Sequence, residues 1–136
     1  MVNVLMIGCG GIAGLRHIPA LSANPDACVY GFFDGAPGRA AATAEKYGGK
    51  AYGSLEEALA DPAIDAAVVC TPTKSHCALT VQALEAGKHV LCEKPMAASA
   101  EDARMMIAAS EKAGKKLMIS HNQRRYEPHI KAKELL

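Results

Sequence analysis

The chain has 136 residues, half of them apolar and 21% charged, with a net charge of +1. That balance fits one globular domain with a core of its own and excludes the electrostatic footprint of a nucleic-acid binder. No apolar run approaches the roughly 18 residues that span a bilayer, and with no Trp, two Phe and four Tyr there is no base-stacking platform.

Val2 to Ile7 is a near-continuous apolar run, the pattern of a parallel strand covered on both faces. The N-terminus enters it directly, without the basic segment and cleavage site of a leader. Ile12 to Ala23 reads as a helix that Pro19 should kink, unless its first turn is irregular, and Asn24-Pro25-Asp26 stops it. Cys28 to Phe33 is a second strand. After the turn Gly35 to Gly38 comes an alanine-rich helix, Arg39 to Tyr47, closed by Gly48-Gly49. Lys50 to Tyr52 is a short strand, and Ser54 with Glu57 makes a capping box for the short helix that follows. Asp65 to Cys70 is a buried strand, after which Ser75 is expected to cap a helix ending at Gly87. His89 to Cys92 is a fifth strand, Ser99 caps a helix through Ala113, and Lys116 to Ser120 is a sixth strand. A last helix starts after Glu127-Pro128. This alternation predicts an α/β fold: a doubly wound, mostly parallel six-stranded sheet with helices on both faces and right-handed crossovers.

Ligands of such sheets bind outside the carboxyl ends of the strands. The first strand delivers Gly8-Cys9-Gly10-Gly11-Ile12-Ala13, which fits G-x-G-x-x-G/A. Gly8 permits a tight turn, Gly10 lets a pyrophosphate approach the backbone, and Ala13 lets the helix pack close to the sheet. Gly11 and Ile12 open the helix, whose unpaired N–H groups face the phosphates. The second strand delivers Asp34, placed to accept hydrogen bonds from the adenosine ribose hydroxyls, which favours NAD and leaves NADP open; the alternative is a turn aspartate. Arg39 either reaches a 2′-phosphate or is a solvated first-turn residue. The fourth strand delivers Thr71, Pro72 and Thr73, then His76, either for the ribose or nicotinamide side or as a turn and cap. The fifth delivers Glu93-Lys94-Pro95, whose lysine either polarises a substrate oxygen or is an exposed turn residue. The sixth delivers Asn122, Arg124, Arg125 and Tyr126, facing a substrate cleft or starting a linker. Five cysteines (Cys9, Cys28, Cys70, Cys77, Cys92), none in a C-x-x-C pair, read as buried reduced thiols of a cytoplasmic protein, with no metal site.

The glycine loop, Asp34, Thr71-Pro72-Thr73 with His76, and Ala86-Gly87-Lys88-His89-Val90-Leu91-Cys92-Glu93-Lys94-Pro95 resemble the Gfo/Idh/MocA oxidoreductases. Asn122 to Pro128 is similar to that family's exit from the last Rossmann strand. The resemblance implies an NAD(P)-binding domain over residues 1–121. Residues 122–136 would be the exit segment and the start of a linker helix toward a second, α+β domain that this sequence does not include. It also implies hydride transfer between the nicotinamide and a secondary alcohol of a sugar, cyclitol or similar polyol. Lys94 would stand beside both reactants as the catalytic residue, and Asn122 near the nicotinamide end. The acid/base histidine would lie in the second domain, so this stretch alone binds cofactor and turns over poorly, and its oligomeric state is open. Two other readings are a stand-alone dinucleotide sensor, against which Lys94 argues, and a site for another adenine ligand such as S-adenosylmethionine or coenzyme A, which leaves the later motifs unexplained.

Overall fold

A computed structural model describes residues 1–136. Six parallel strands form one sheet: β1 (Val2–Ile7), β2 (Ala27–Phe33), β3 (Lys50–Ala51), β4 (Ala66–Val69), β5 (His89–Cys92) and β6 (Leu117–Ile119). Their spatial order is β3-β2-β1-β4-β5-β6, with β1 paired in parallel to both β2 and β4. The helices are α1 (Ile18–Ser22), α2 (Arg39–Tyr47), α3 (Leu55–Ala60), α4 (His76–Glu85), α5 (Ala100–Ala113) and α6 (Glu127–Glu134).

The sheet has a core on each face, and β1 shows why. Its side chains alternate: Leu5 and Ile7 enter one cluster with Leu55, Leu59, Leu84 and Met106, while Val4 and Met6 enter another with Ala13, Ile18, Phe32 and Ala40. A strand that feeds two cores cannot alternate polar with apolar residues, hence the apolar run in the sequence. The first core belongs to α3, α4 and α5, and the second to α1 and α2.

Local chemistry fixes both ends of α5 and the start of α3. Ser54 Oγ accepts from Glu57 N–H at 3.1 Å, and Ser99 Oγ accepts from Asp102 N–H at 3.0 Å. Gly114, at φ 62°, stops α5 in the left-handed region. Pro19 does not kink a continuous α-helix; of its two readings, the irregular first turn is the one found. The helix instead opens with a π turn, Ala13–His17, in which Ile18 N–H reaches back five residues to Ala13 O, and Pro19 falls in the first turn of α1. Pro19 lacks an N–H, so a regular turn ahead of it would leave a carbonyl without its partner. The i→i+5 spacing also buries both Ala13 and Ile18. Ser75 does not cap α4. Thr73–Ser75 form a 3₁₀ turn, and the Ser75 hydroxyl lies 2.8 Å from both the Pro72 carbonyl and the Thr71 hydroxyl. Its bonding capacity is spent on the loop leaving β4.

All five cysteines are free, and Cys70 and Cys92 are buried while the other three are half-buried. Burial, reinforced by the charge of Glu93, pushes the Cys70 thiol up to about 12. Burial likewise pushes Cys92 up to about 11. Both stay protonated at neutral pH. No helix is long and apolar enough to cross a membrane.

Candidate dinucleotide-binding site

The strand order reverses direction between β1 and β4, and a cleft of about 620 Å³ opens there, beyond the carboxyl ends of the strands. Its walls include Gly8, Gly10, Asp34, Arg39, Thr71 and Pro72. Residues far apart in sequence, from three strand exits, therefore share one depression.

Gly8 sits where the chain leaves β1, at φ +93°. A Cβ there would lie 2.8 Å from Cys70 O and 2.9 Å from Thr71 Cγ2, so both conformation and space demand glycine. Gly10 differs: a Cβ on it would meet no atom within 4 Å, because the position faces the open cleft. The first bond of the following helix runs from Gly14 N–H to Gly10 O at 3.2 Å. The amides of Gly10, Gly11 and Ile12 precede that bond and are the free N-terminal donors of the helix. Ala13 is fully buried against the sheet. An unobstructed backbone face with free N–H groups fits a dinucleotide pyrophosphate.

Asp34 has an architectural task, of which the turn-aspartate reading anticipates one half. Its Oδ2 accepts from Cys9 N–H at 2.7 Å, and its Oδ1 accepts from Ala36 N–H at 2.7 Å. One carboxylate thus staples the glycine loop to the turn after β2. Its side chain is only 7% exposed, and the Arg39 guanidinium, largely exposed, stands 3.5 Å from Oδ1. Each carboxylate oxygen has further lone pairs, so the group can still accept hydrogen bonds at the cleft wall.

The exits of β4 and β5 are tied together from within. His76 is 1% exposed, with Nε2 2.8 Å from Thr71 O and Nδ1 2.9 Å from Pro95 O. A ring enclosed between two carbonyls holds the loops that leave β4 and β5 in place. Glu93 is also interior. Its Oε1 lies 2.7 Å from His17 Nε2, and its Oε2 accepts from Lys94 N–H at 2.9 Å. Burial alone would raise the Glu93 carboxyl, but the hydrogen bonds from His17 and the Lys94 amide outweigh it and hold the group below its ordinary value. Lys94 and Pro95 are exposed at the end of β5, across a cis peptide bond. Lys88, buried in the same strand approach, donates from Nζ to the carbonyls of Asp61 and Ile64, each at 2.9 Å.

Asn122 lies elsewhere. With Ser120, His121, Arg124 and Arg125 it lines a separate depression of about 420 Å³ beyond β6. Thr73, Glu93 and Lys94 line neither depression. His17 carries no motif and is missed by reading the sequence; its signal is a polar residue on the helix that covers β1, paired with an acidic residue 76 positions away. No group of three or more His, Cys, Asp or Glu side chains gathers as a metal site would require.

The 3-2-1-4-5-6 sheet and the glycine loop at its switch point define a nicotinamide-dinucleotide-binding Rossmann domain. Residues 2–121 match the family described as "Oxidoreductase family, NAD-binding Rossmann fold", and the chain belongs to this Gfo/Idh/MocA family. It is 40% identical over 124 residues to 1,5-anhydro-D-fructose reductase of Ensifer adhaerens, covering 91% of this chain and 37% of that protein. It is 39% identical over 128 residues to inositol 2-dehydrogenase of Rhizobium meliloti, covering 93% of this chain and 38% of the relative. Among solved structures it superposes on KijD10, a 3-ketoreductase from Actinomadura kijaniata in complex with NADP and TDP-benzene. There the TM-score is 0.93 at 30% identity, covering 98% of this chain and 41% of the other. The chain thus spans less than half the length of these relatives.

Proposed function

We propose that this chain is the cofactor-binding part of an oxidoreductase that moves a hydride between a nicotinamide and a secondary alcohol of a sugar, cyclitol or similar polyol. The observation that carries the reading is the convergence of Gly8, Gly10, Asp34, Arg39, Thr71 and Pro72 on one cleft at the switch point. Relatives named for inositol and anhydrofructose support the substrate class.

Residues 1–121 would hold the cofactor, and residues 122–136 would lead away from it toward the substrate side. The Gly10, Gly11 and Ile12 amides would bind the pyrophosphate. Asp34 would present its charge at the adenosine ribose, favouring its hydroxyls and opposing a 2′-phosphate. Arg39 partly offsets that charge, so NAD is preferred and NADP binds more weakly. When bound, the nicotinamide supplies the hydride chemistry. Lys94, projecting from the end of β5, would orient the alcohol and stabilise its oxygen while the hydroxyl proton passes to the acid/base histidine that the family resemblance assigns to a second domain.

Titration with NADH and with NADPH, followed by nicotinamide fluorescence, tests the reading. Saturable binding of NADH, tighter than that of NADPH, is expected. No response to either nucleotide would overturn it.

A further inference from the structure

We propose that His17 is a positioning residue that transmits occupancy of the glycine loop to Lys94. The inference rests on the dinucleotide reading of the cleft and goes beyond it, by assigning a role to a residue outside every motif of the site.

The path is short and continuous. The amides expected to take the pyrophosphate, at Gly10, Gly11 and Ile12, lead without interruption into the π turn Ala13–His17. His17 ends that turn, and its Nε2 lies 2.7 Å from Glu93 Oε1. The other oxygen of the same carboxylate accepts the Lys94 N–H at 2.9 Å. A single carboxylate therefore joins the helix that starts at the phosphate loop to the backbone of the lysine. Both side chains of the pair are 11% exposed, so water does not compete freely for the bond. The far side of the Lys94 loop is fixed independently, since the Pro95 carbonyl rests on buried His76. With one flank fixed, movement of the His17 flank reaches Lys94 instead of being absorbed by the loop. The link also starts from a π turn, a wide element frequent at functional sites. An anion drawn onto the loop amides loads that turn, and His17 is its last residue.

Amide NMR of the ¹⁵N-labelled chain tests this with ADP, which carries the adenosine and diphosphate but no nicotinamide to touch Lys94 directly. In the wild-type chain, Gly10, Gly11 and Lys94 amides are expected to shift with one common midpoint. In His17→Ala the glycine amides still shift and the Lys94 response is lost. His17→Gln, which retains a donor toward Glu93, restores the response. His17→Asn, polar but too short to reach, does not, and this pair decides the matter even if the alanine variant fails to fold. A Lys94 shift that persists in His17→Asn while Gly10 responds would overturn this proposal alone. Silence of Gly10 and Gly11 toward both ADP and NADH would overturn the dinucleotide reading, and this inference with it.

Discussion

Replacing Asp34 by Asn separates two roles that the sequence merges. The substitution conserves shape but leaves one oxygen where there were two acceptors, so either the Cys9 or the Ala36 N–H comes to face an amide nitrogen. Both bonds measure 2.7 Å and the side chain is 7% exposed. Losing one charge-assisted bond at such a site costs about 1–3 kcal/mol. For a chain of this size, that lowers the thermal midpoint by roughly 4–12 °C. Cofactor binding responds as well, because a loosened glycine loop must be reordered by the ligand. Each kcal/mol spent on that reordering weakens binding about fivefold, and this part of the loss is common to NADH and NADPH. A second part is not shared: removing the carboxylate charge relieves repulsion of a 2′-phosphate, so NADPH loses less. Circular dichroism melts and parallel fluorescence titrations measure both parts. A midpoint unchanged within about 1 °C would refute the stapling role, since even the low end of the estimate exceeds it. Equal losses for the two nucleotides would refute the ribose assignment.

The two loop glycines should respond differently to alanine. Gly8→Ala combines a positive φ with a contact of 2.8 Å to Cys70 O, and should destabilise the chain by more than about 2 kcal/mol in urea unfolding. Gly10→Ala, where nothing lies within 4 Å, should leave stability within about 0.5 kcal/mol while NADH binding is lost; similar unfolding curves for the two variants would contradict this assignment. Lys88→Met removes the donor shared by the Asp61 and Ile64 carbonyls and should cost about 1–3 kcal/mol, checked by the urea midpoint, with no change counting against it. Glu93 has a carboxyl pKa held below its ordinary value of 4.5. Its contribution to stability is therefore complete above that value and is lost as pH falls through the lower folded value. Glu93→Gln should flatten the stability profile below pH 4.5, and a variant with the same acid slope as the wild type would refute the hydrogen-bond account.

How far the sequence reaches is clearest where two neighbouring features part company. The helix Arg39–Tyr47, the strand His89–Cys92 and the helix Ala100–Ala113 are legible to the residue. Their determinants are local: an alanine-rich run closed by glycines, an apolar run before Glu93, and a Ser99 cap with Gly114 in the left-handed region. The depression at the switch point is legible too, because strand exits of a doubly wound sheet lie along one edge. What is not legible is which side of that edge a polar side chain serves. Asp34 reads as a ligand for ribose, yet both of its oxygens accept loop amides. His76 reads as part of the site wall, yet it lies between two carbonyls in the interior. His17 has no reading at all, since its partner is 76 residues away.

Apart from the local bond of Asp34 to the Ala36 amide, these partners share one cause. Periodicity reports the element and the face on which a residue sits, but a hydrogen-bond partner across the sheet depends on strand order, which no local window contains. With β4 beside β1 and β5 beside β4, the turn that opens the helix after β1 stands near the exits of both. This is visible in the shared packing of Ala13 and Ile18 with Val68 and Cys70, and of Leu91 against the same cluster. A histidine at the end of that π turn then faces whatever β5 delivers, and β5 delivers Glu93. The order 3-2-1-4-5-6, rather than any further motif, is the information that turns an isolated His17 into a candidate link between the phosphate loop and Lys94.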